Sequence, residues 1–299
     1  MSYCINPQCN YRENPENLMQ CQNCGASLVI CDRYRLIKPL RQLSPAHPTE
    51  IFEVRDWHTC LNTWGTFKVL KVLKYNNNPE LVRLFEQEAR VLIFLRHPGI
   101  PKVEPDGYFT VALPNNSRRM RCLVMEKIEG ETLADFINKN QTISCESALK
   151  WLRQLTEILQ QLHRHDIVHR DIKPANIILA KNNRLVLIDF GTVGIDSWKA
   201  TPVGSIGYAA PEQLSGKAVL QSDFFALGRT FVHLLTGISP MDFPTCAKTG
   251  KLLWQNKVNA NIPQKLKELI DDLMAPLPQQ RPENAASILQ RIDTLLQHI

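Results

Sequence analysis

The sequence predicts an α+β fold in two lobes, a strand-rich one over residues 33–128 and a helical one over residues 129–297, behind a small cysteine module at residues 1–31. Three observations predict it. Up to residue 128 apolar residues mostly alternate or run in short blocks, with one helical stretch among them, and beyond it they recur every three or four positions. At 299 residues and 44% hydrophobic content, the chain is long enough to bury the core of two lobes, with a cleft expected between them. Finally, Cys4, Cys9, Cys21 and Cys24 crowd the N-terminus of a chain that has nine cysteines in all.

Those four cysteines form C-x4-C-x11-C-x2-C, with Gly25 directly after the second pair. Four thiolates can close a tetrahedral zinc shell, and a C-x-x-C-G turn lets backbone amides point at the sulfurs. The spacing resembles a short zinc ribbon, which implies structural Zn²⁺ on Cys4, Cys9, Cys21 and Cys24; the alternative is a disordered leader whose cysteines are incidental, or a redox dithiol at C-x-x-C. The intervening NYRENPENLMQ is polar and broken by proline, so the segment is expected to rely on metal for its order. Cys31 reads as a bystander, and Cys60, Cys122, Cys145 and Cys246 as small hydrophobic residues in apolar or helical surroundings.

Strands are expected at RYRLIKPL, EIFEVRD and TFKVLKVLKY, the last two joined by a turn at CLNTWG. PELVRLFEQEARVLIFLR, residues 79–96, then opens with proline at a first helical turn and carries Leu81, Leu84, Phe85, Leu92 and Leu95 on one stripe. Strands at GYFTVAL and RCLVMEKI, split by a turn at PNNSRR, complete a five-stranded half. Among the helices that follow, residues 144–165 begin at Ser144 as N-cap and place Leu149, Leu152, Leu159 and Leu162 on one face. SDFFALGRTFVHLLTG is ended by Gly237, and QKLKELIDDLM and NAASILQRIDTLLQ follow it.

The net charge of +6 is spread without a block of like charges, which argues against nucleic acid as a partner. No run of apolar residues is long enough to span a membrane, and the first residues lack the pattern of a secretory signal. With an odd cysteine count, a cytoplasmic, reducing location is expected.

Between residues 165 and 191 the chain reads HDIVHRDIKPANIILAKNNRLVLIDFG. His169, Arg170, Asp171, Lys173 and Asn176 match the H-R-D-x-K-x-x-N loop of protein kinases, and Asp189, Phe190 and Gly191 match the D-F-G that follows it after a short hairpin. Ala210, Pro211 and Glu212 supply A-P-E. Over residues 33–297 the chain thus resembles a eukaryotic-type serine/threonine protein kinase of the kind found in bacteria, which implies a two-lobed protein-kinase-like fold.

Phosphoryl transfer asks a protein to position a hydroxyl, neutralise phosphate charge and hold a divalent ion. Asp171 can accept or orient the hydroxyl proton of a protein substrate, Lys173 can meet the moving phosphoryl, and Asn176 and Asp189 offer oxygens to Mg²⁺ or Mn²⁺. Glu88 lies four residues after Leu84 and four before Leu92, hence on the inward stripe, where a carboxylate requires a partner. Lys71, in the place of the V-A-I-K lysine, is that partner and would meet the α- and β-phosphates of ATP; Lys74, on the opposite strand face, is the runner-up. By resemblance Met125 is the gatekeeper, and the backbones of Glu126 and Ile128 meet adenine. Resemblance also implies a Glu212–Arg281 ion pair, an Asp223 that braces the catalytic loop, and a structural Ser205; Arg170 would pair with a phosphorylated Thr192, Ser197 or Thr201.

One departure stands out. The kinase turn G-x-G-x-x-G-x-V is replaced by a segment in which His47, Thr49 and Phe52 stand at the glycine places, and Pro45 and Pro48 have no N–H to give. An active kinase with a weakened grip on ATP is expected, and a pseudokinase with a scaffold or nucleotide-binding role is the alternative.

Overall fold

A computed structural model describes residues 1–57, 65–74, 77–114, 116–140, 142–194, 204–258 and 261–297. Contacts divide the chain into two compact units: Met1–Arg96 with Pro101–Lys127, and His97–Ile100 with Ile128–Ile299.

The first unit opens with a two-stranded pair, β1 (Ser2–Tyr3) and β2 (Glu13–Asn14). Its main sheet is antiparallel, built from β3 (Val29–Ile30), β4 (Tyr34–Pro39), β5 (Thr49–Asp56), β6 (Thr66–Leu73), β7 (Tyr108–Leu113) and β8 (Asn116–Glu126) in the order β3-β4-β5-β6-β8-β7. Five of these strands lie where alternation predicts them. The sixth, β3, is two residues long and too short to leave a period. β8 also starts earlier than expected: Asn116 to Arg119, read as turn, belong to the strand, because Leu113 pairs with Asn116 and Ala112 with Arg119 across a bulge. The CLNTWG turn falls mostly outside the described residues.

Strand alternation gives the sheet two distinct faces. Leu36, Phe52, Val54, Leu70, Val72, Cys122 and Val124 form the apolar centre of one face, and onto it pack Cys4, Ile5, Cys9, Cys21, Ala26, Leu28 and Ile30. The cysteine region therefore shares the core of the sheet. Fully buried side chains such as Ile5 and Leu28 contribute about 1.5–3 kcal/mol each, so docking orders this segment alongside any metal.

Helix α1 (Pro79–Phe94) starts where Asn78, as N-cap, accepts from the amides of Glu80 and Leu81 at 3.0 and 3.3 Å, and Pro79 has no amide to satisfy. It buries Phe85, Glu88, Ala89, Val91 and Leu92. Leu81 and Leu84 of the expected stripe are only half-buried.

In the second unit β9 (Gly130–Thr132), β10 (Ile177–Ala180) and β11 (Leu185–Leu187) form a small sheet beside α2 (Leu133–Asn140) and α3 (Cys145–His163). Ser144 caps α3 by accepting from Ser147 N, and Leu149, Leu152, Leu159 and Leu162 are all buried as the period requires. Then come α4 (Pro211–Leu214), α5 (Leu220–Thr236), α6 (Gln264–Leu273) and α7 (Ala285–Leu296), with α3 packed against α5 and α7. Gly237 ends α5 at φ +69°, a left-handed conformation that side-chain-bearing residues resist. No helix among the described residues is long and apolar enough to cross a membrane.

Candidate active site

In the second unit the segment between α3 and β10 is fixed from below by one carboxylate. Asp223, fully buried on α5, accepts from the amides of His169 and Arg170 at 2.9 Å each and contacts His163 Nε2 at 3.0 Å. Those bonds hold Arg170 at φ +69°, a conformation costly for a non-glycine residue. Gln213 Nε2 adds a bond to the Arg170 carbonyl at 2.6 Å. The Arg170 guanidinium packs so closely on Gly194 that a Cβ there would collide with it.

The next residue, Asp171, is the centre of a polar cluster. Its Oδ1 accepts from the Ser205 hydroxyl at 2.6 Å, and its Oδ2 accepts from Lys173 Nζ and from Asn176 Nδ2, each at 2.8 Å. Lys173 also donates to Ser205 Oγ at 2.6 Å. Asn176 spends its amide nitrogen on Asp171, so its oxygen is the atom left to meet a cation.

Strand β11 delivers Asp189. The amide of Ile188 bonds the carbonyl of Asn176 at 2.8 Å, and Phe190 is wholly buried with its ring edge-on to His169, centroids 4.9 Å apart. Asp189 itself sits at φ +61°. Burial lowers the pKa of His169 against the pull of Asp223, Asp171 and Asp189, and its Nδ1 accepts from the Asp171 amide at 3.3 Å, so the ring is neutral.

Further along, Arg281 grips Glu212 with a two-bond fork at 2.6 and 3.0 Å. Burial works to raise the Glu212 pKa, but Arg281 and the Ser222 hydroxyl outweigh it and hold the carboxyl below its usual range. Thr192 donates to the His169 carbonyl, while Ser197 and Thr201 lie outside the described residues.

In the first unit Lys71 Nζ meets both oxygens of Glu88 at 2.7 and 2.8 Å, an ion pair almost without exposure. The inward stripe of α1 predicted this partner. Lys74 points elsewhere and donates to the Ser44 carbonyl at 2.8 Å. Met125 is half-buried, and Glu126 closes the strand with its amide donated to the Lys102 carbonyl at 2.8 Å. Ile128, at the start of the second unit, is half-buried.

The turn between β4 and β5 bonds mostly to itself and to its neighbours. The amides of Ala46 and His47 go to Ser44 Oγ and Ser44 O, and the Arg41 guanidinium bonds Thr49. Phe52, at one glycine place, is wholly buried in the sheet core.

A family model, protein kinase domain, matches residues 59–297. The chain belongs to the protein kinase family. Serine/threonine-protein kinase B of Synechocystis sp. is 31% identical over 98% of this chain and 52% of its own length. Serine/threonine-protein kinase D of the same organism is 34% identical over 90% of the chain and 54% of its own, and serine/threonine-protein kinase PknA of Nostoc sp. is 32% identical over 88% and 47%. The chain thus spans about half the length of the curated relatives it matches. Kinase membership implies ATP and a divalent metal ion.

A second constellation in this kinase chain is the cysteine cluster. The sulfurs of Cys4, Cys9, Cys21 and Cys24 all lie within 4.8 Å of one another, with Cys4–Cys24 at 3.6 Å and Cys9–Cys21 at 3.7 Å. A tetrahedron with zinc–sulfur bonds of about 2.3 Å has sulfurs about 3.8 Å apart, so the set fits a zinc ion. N–H donors suited to thiolates surround it: Asn23 Nδ2 lies 3.2 Å from Cys9 Sγ and Asn14 Nδ2 3.6 Å from Cys21 Sγ. Burial works to raise the Cys21 pKa, but the amides of Cys24 and Asn23, with Cys9 and Asn14, bring it down to about 7. Cys31 is exposed and outside the cluster, and Cys60 is not among the described residues. Cys246 lies in a turn rather than in apolar or helical surroundings, its thiol held by Thr249.

Proposed function

We propose that the chain is a serine/threonine protein kinase that transfers the γ-phosphoryl of ATP to hydroxyls of protein substrates, with a kinase domain over residues 33–297 split near residue 128. The observation that carries this is the Asp171 cluster: a carboxylate bonded at 2.6 Å to a serine hydroxyl with a lysine ammonium on both. Asp171 takes or orients the acceptor proton, and Lys173 stabilises charge on the transferred group. The divalent ion that accompanies ATP neutralises phosphate charge, and Asn176 and Asp189 are the residues to hold it. Lys71, oriented by Glu88, binds the α- and β-phosphates; the backbones of Glu126 and Ile128 receive adenine. Cys4, Cys9, Cys21 and Cys24 hold structural zinc, whose chemistry is to fix four thiolates and the turns that carry them.

The glycine-free turn loosens the grip on the nucleotide. Its amides at Ala46 and His47 already serve Ser44, and each charge-assisted bond it fails to give ATP is worth about 1.5–3 kcal/mol. That same observation favours the second reading, a pseudokinase scaffold. A phosphotransfer assay with Mg-ATP and a generic basic protein separates the two. Asp171→Ala should cut the rate by at least about 100-fold. Equal background in wild type and variant would favour the scaffold.

A further inference from the structure

The cysteine region and the turn over residues 40–48 are joined through one buried ion pair. Arg12 Nη1 and Nη2 fork onto Glu50 at 3.1 and 2.7 Å, and both side chains are nearly unexposed. Two further N–H donors of the guanidinium go to the carbonyls of Cys4 at 2.8 Å and Ile5 at 3.2 Å, and its plane lies near the rings of Tyr3 and Phe52. Arg12 is therefore a flat spacer pinned at one end to a cysteine knuckle and at the other to Glu50.

Glu50 is the second residue of β5, at the root of the turn. Directly before it, Thr49 receives the Arg41 guanidinium and the Pro48 carbonyl receives the Lys74 amide. Directly after it, Ile51 pairs with Lys71. Burial lowers the pKa of the Lys74 ammonium that holds Ser44, Glu50 pulls it back up, and Arg12 and Arg41 push it down again. Phe52 and Val54 follow Glu50 on the same strand face, where a buried charge pair by itself adds little net stability over an apolar one. What the fork adds is a defined position for Glu50.

We propose that Arg12 is a positioning residue for nucleotide binding: through Glu50 it makes the cysteine region, rather than glycine amides, the part that sets how the turn lies toward the ATP phosphates. This rests on the kinase reading above.

The test uses the full chain, a fluorescent ribose-labelled ATP with Mg²⁺ to read Kd, steady-state kinetics and calorimetric melting. Two variants are compared with wild type: the apolar pair Arg12→Met with Glu50→Leu, which strands no charge, and Arg12→Lys, which keeps the charge and loses the fork. Expected in both is a rise in Kd and in KM for ATP of about fivefold or more, with kcat changing less than KM; the apolar pair, which leaves the Cys4 and Ile5 carbonyls without the guanidinium, melts lower than wild type. The inference is overturned if either folded variant binds the labelled ATP like wild type, or if kcat and melting temperature fall together at constant KM. Wild type that binds no labelled ATP would instead overturn the kinase reading and this inference with it.

Discussion

Asp223 shows how much one side chain can decide. Its two oxygens satisfy two successive amides and a histidine, with no exposure to water, and so hold the backbone that presents Asp171. In Asp223→Asn one oxygen becomes an NH₂ that faces an N–H, which leaves an amide of His169 or Arg170 unsatisfied. The expected cost is about 1.5–3 kcal/mol, read as a lower calorimetric melting temperature, with kcat reduced. An unchanged melting temperature would show that water or a shifted loop replaces the carboxylate. At this scale the sequence was legible wherever a side chain stood in conflict with its surroundings. Glu88 on an apolar stripe demanded a cation, and Lys71 supplied it. Lys74 was not legible, since its acceptor is a backbone carbonyl thirty residues away and carbonyls carry no residue-type signal.

Among the elements, the long helices could be read with their ends. Ser144 caps α3 by accepting from the Ser147 amide and Gly237 ends α5, both where the sequence places them, while the Asn284 cap of α7 on the Ser287 amide is added by the structure. Helix α2 was missed because eight residues give barely two turns of period and only Leu133 and Ile137 are buried. The cysteine segment was legible as a ligand set but not as a packed element. With the zinc proposal, two forces order it: thiolate ligation and the burial of Cys4, Ile5, Ala26, Leu28 and Ile30. A Cys21→Ser, Cys24→Ser double variant should therefore lose zinc in elemental analysis and melt lower than wild type, yet keep part of its sheet signal in circular dichroism. Undiminished zinc would refute the ligand assignment.

Across the whole molecule, buried histidines set an acid limit. Burial lowers the pKa of His97, His169 and His233 below the ordinary 6.5, opposed by Glu157 at His97, by Asp223, Asp171 and Asp189 at His169, and by Asp242 at His233. In the window below 6.5 the unfolded chain binds more protons than the folded one. The stability tied to these neutral rings is whole above that value and drains as pH falls through it. Melting temperature should decline between about pH 6.5 and 5, before carboxylates such as Glu212, ordinary value 4.5, begin to protonate. Calorimetry at half-unit steps tests this, and a flat profile across that window would contradict it.

The sequence by itself determined the kinase family through the motifs that resemble it, the Lys71–Glu88 partnership, the four clustered cysteines and most strands and helices. Each of these is written in spacing, capping or period, which act over a few residues or one helical face. Only the tertiary structure decided that the cysteine region packs on the apolar residues of one sheet face and that Arg12 meets Glu50. Such contacts join residues more than thirty positions apart through burial and directed hydrogen bonds, and chain folding alone brings those atoms within reach.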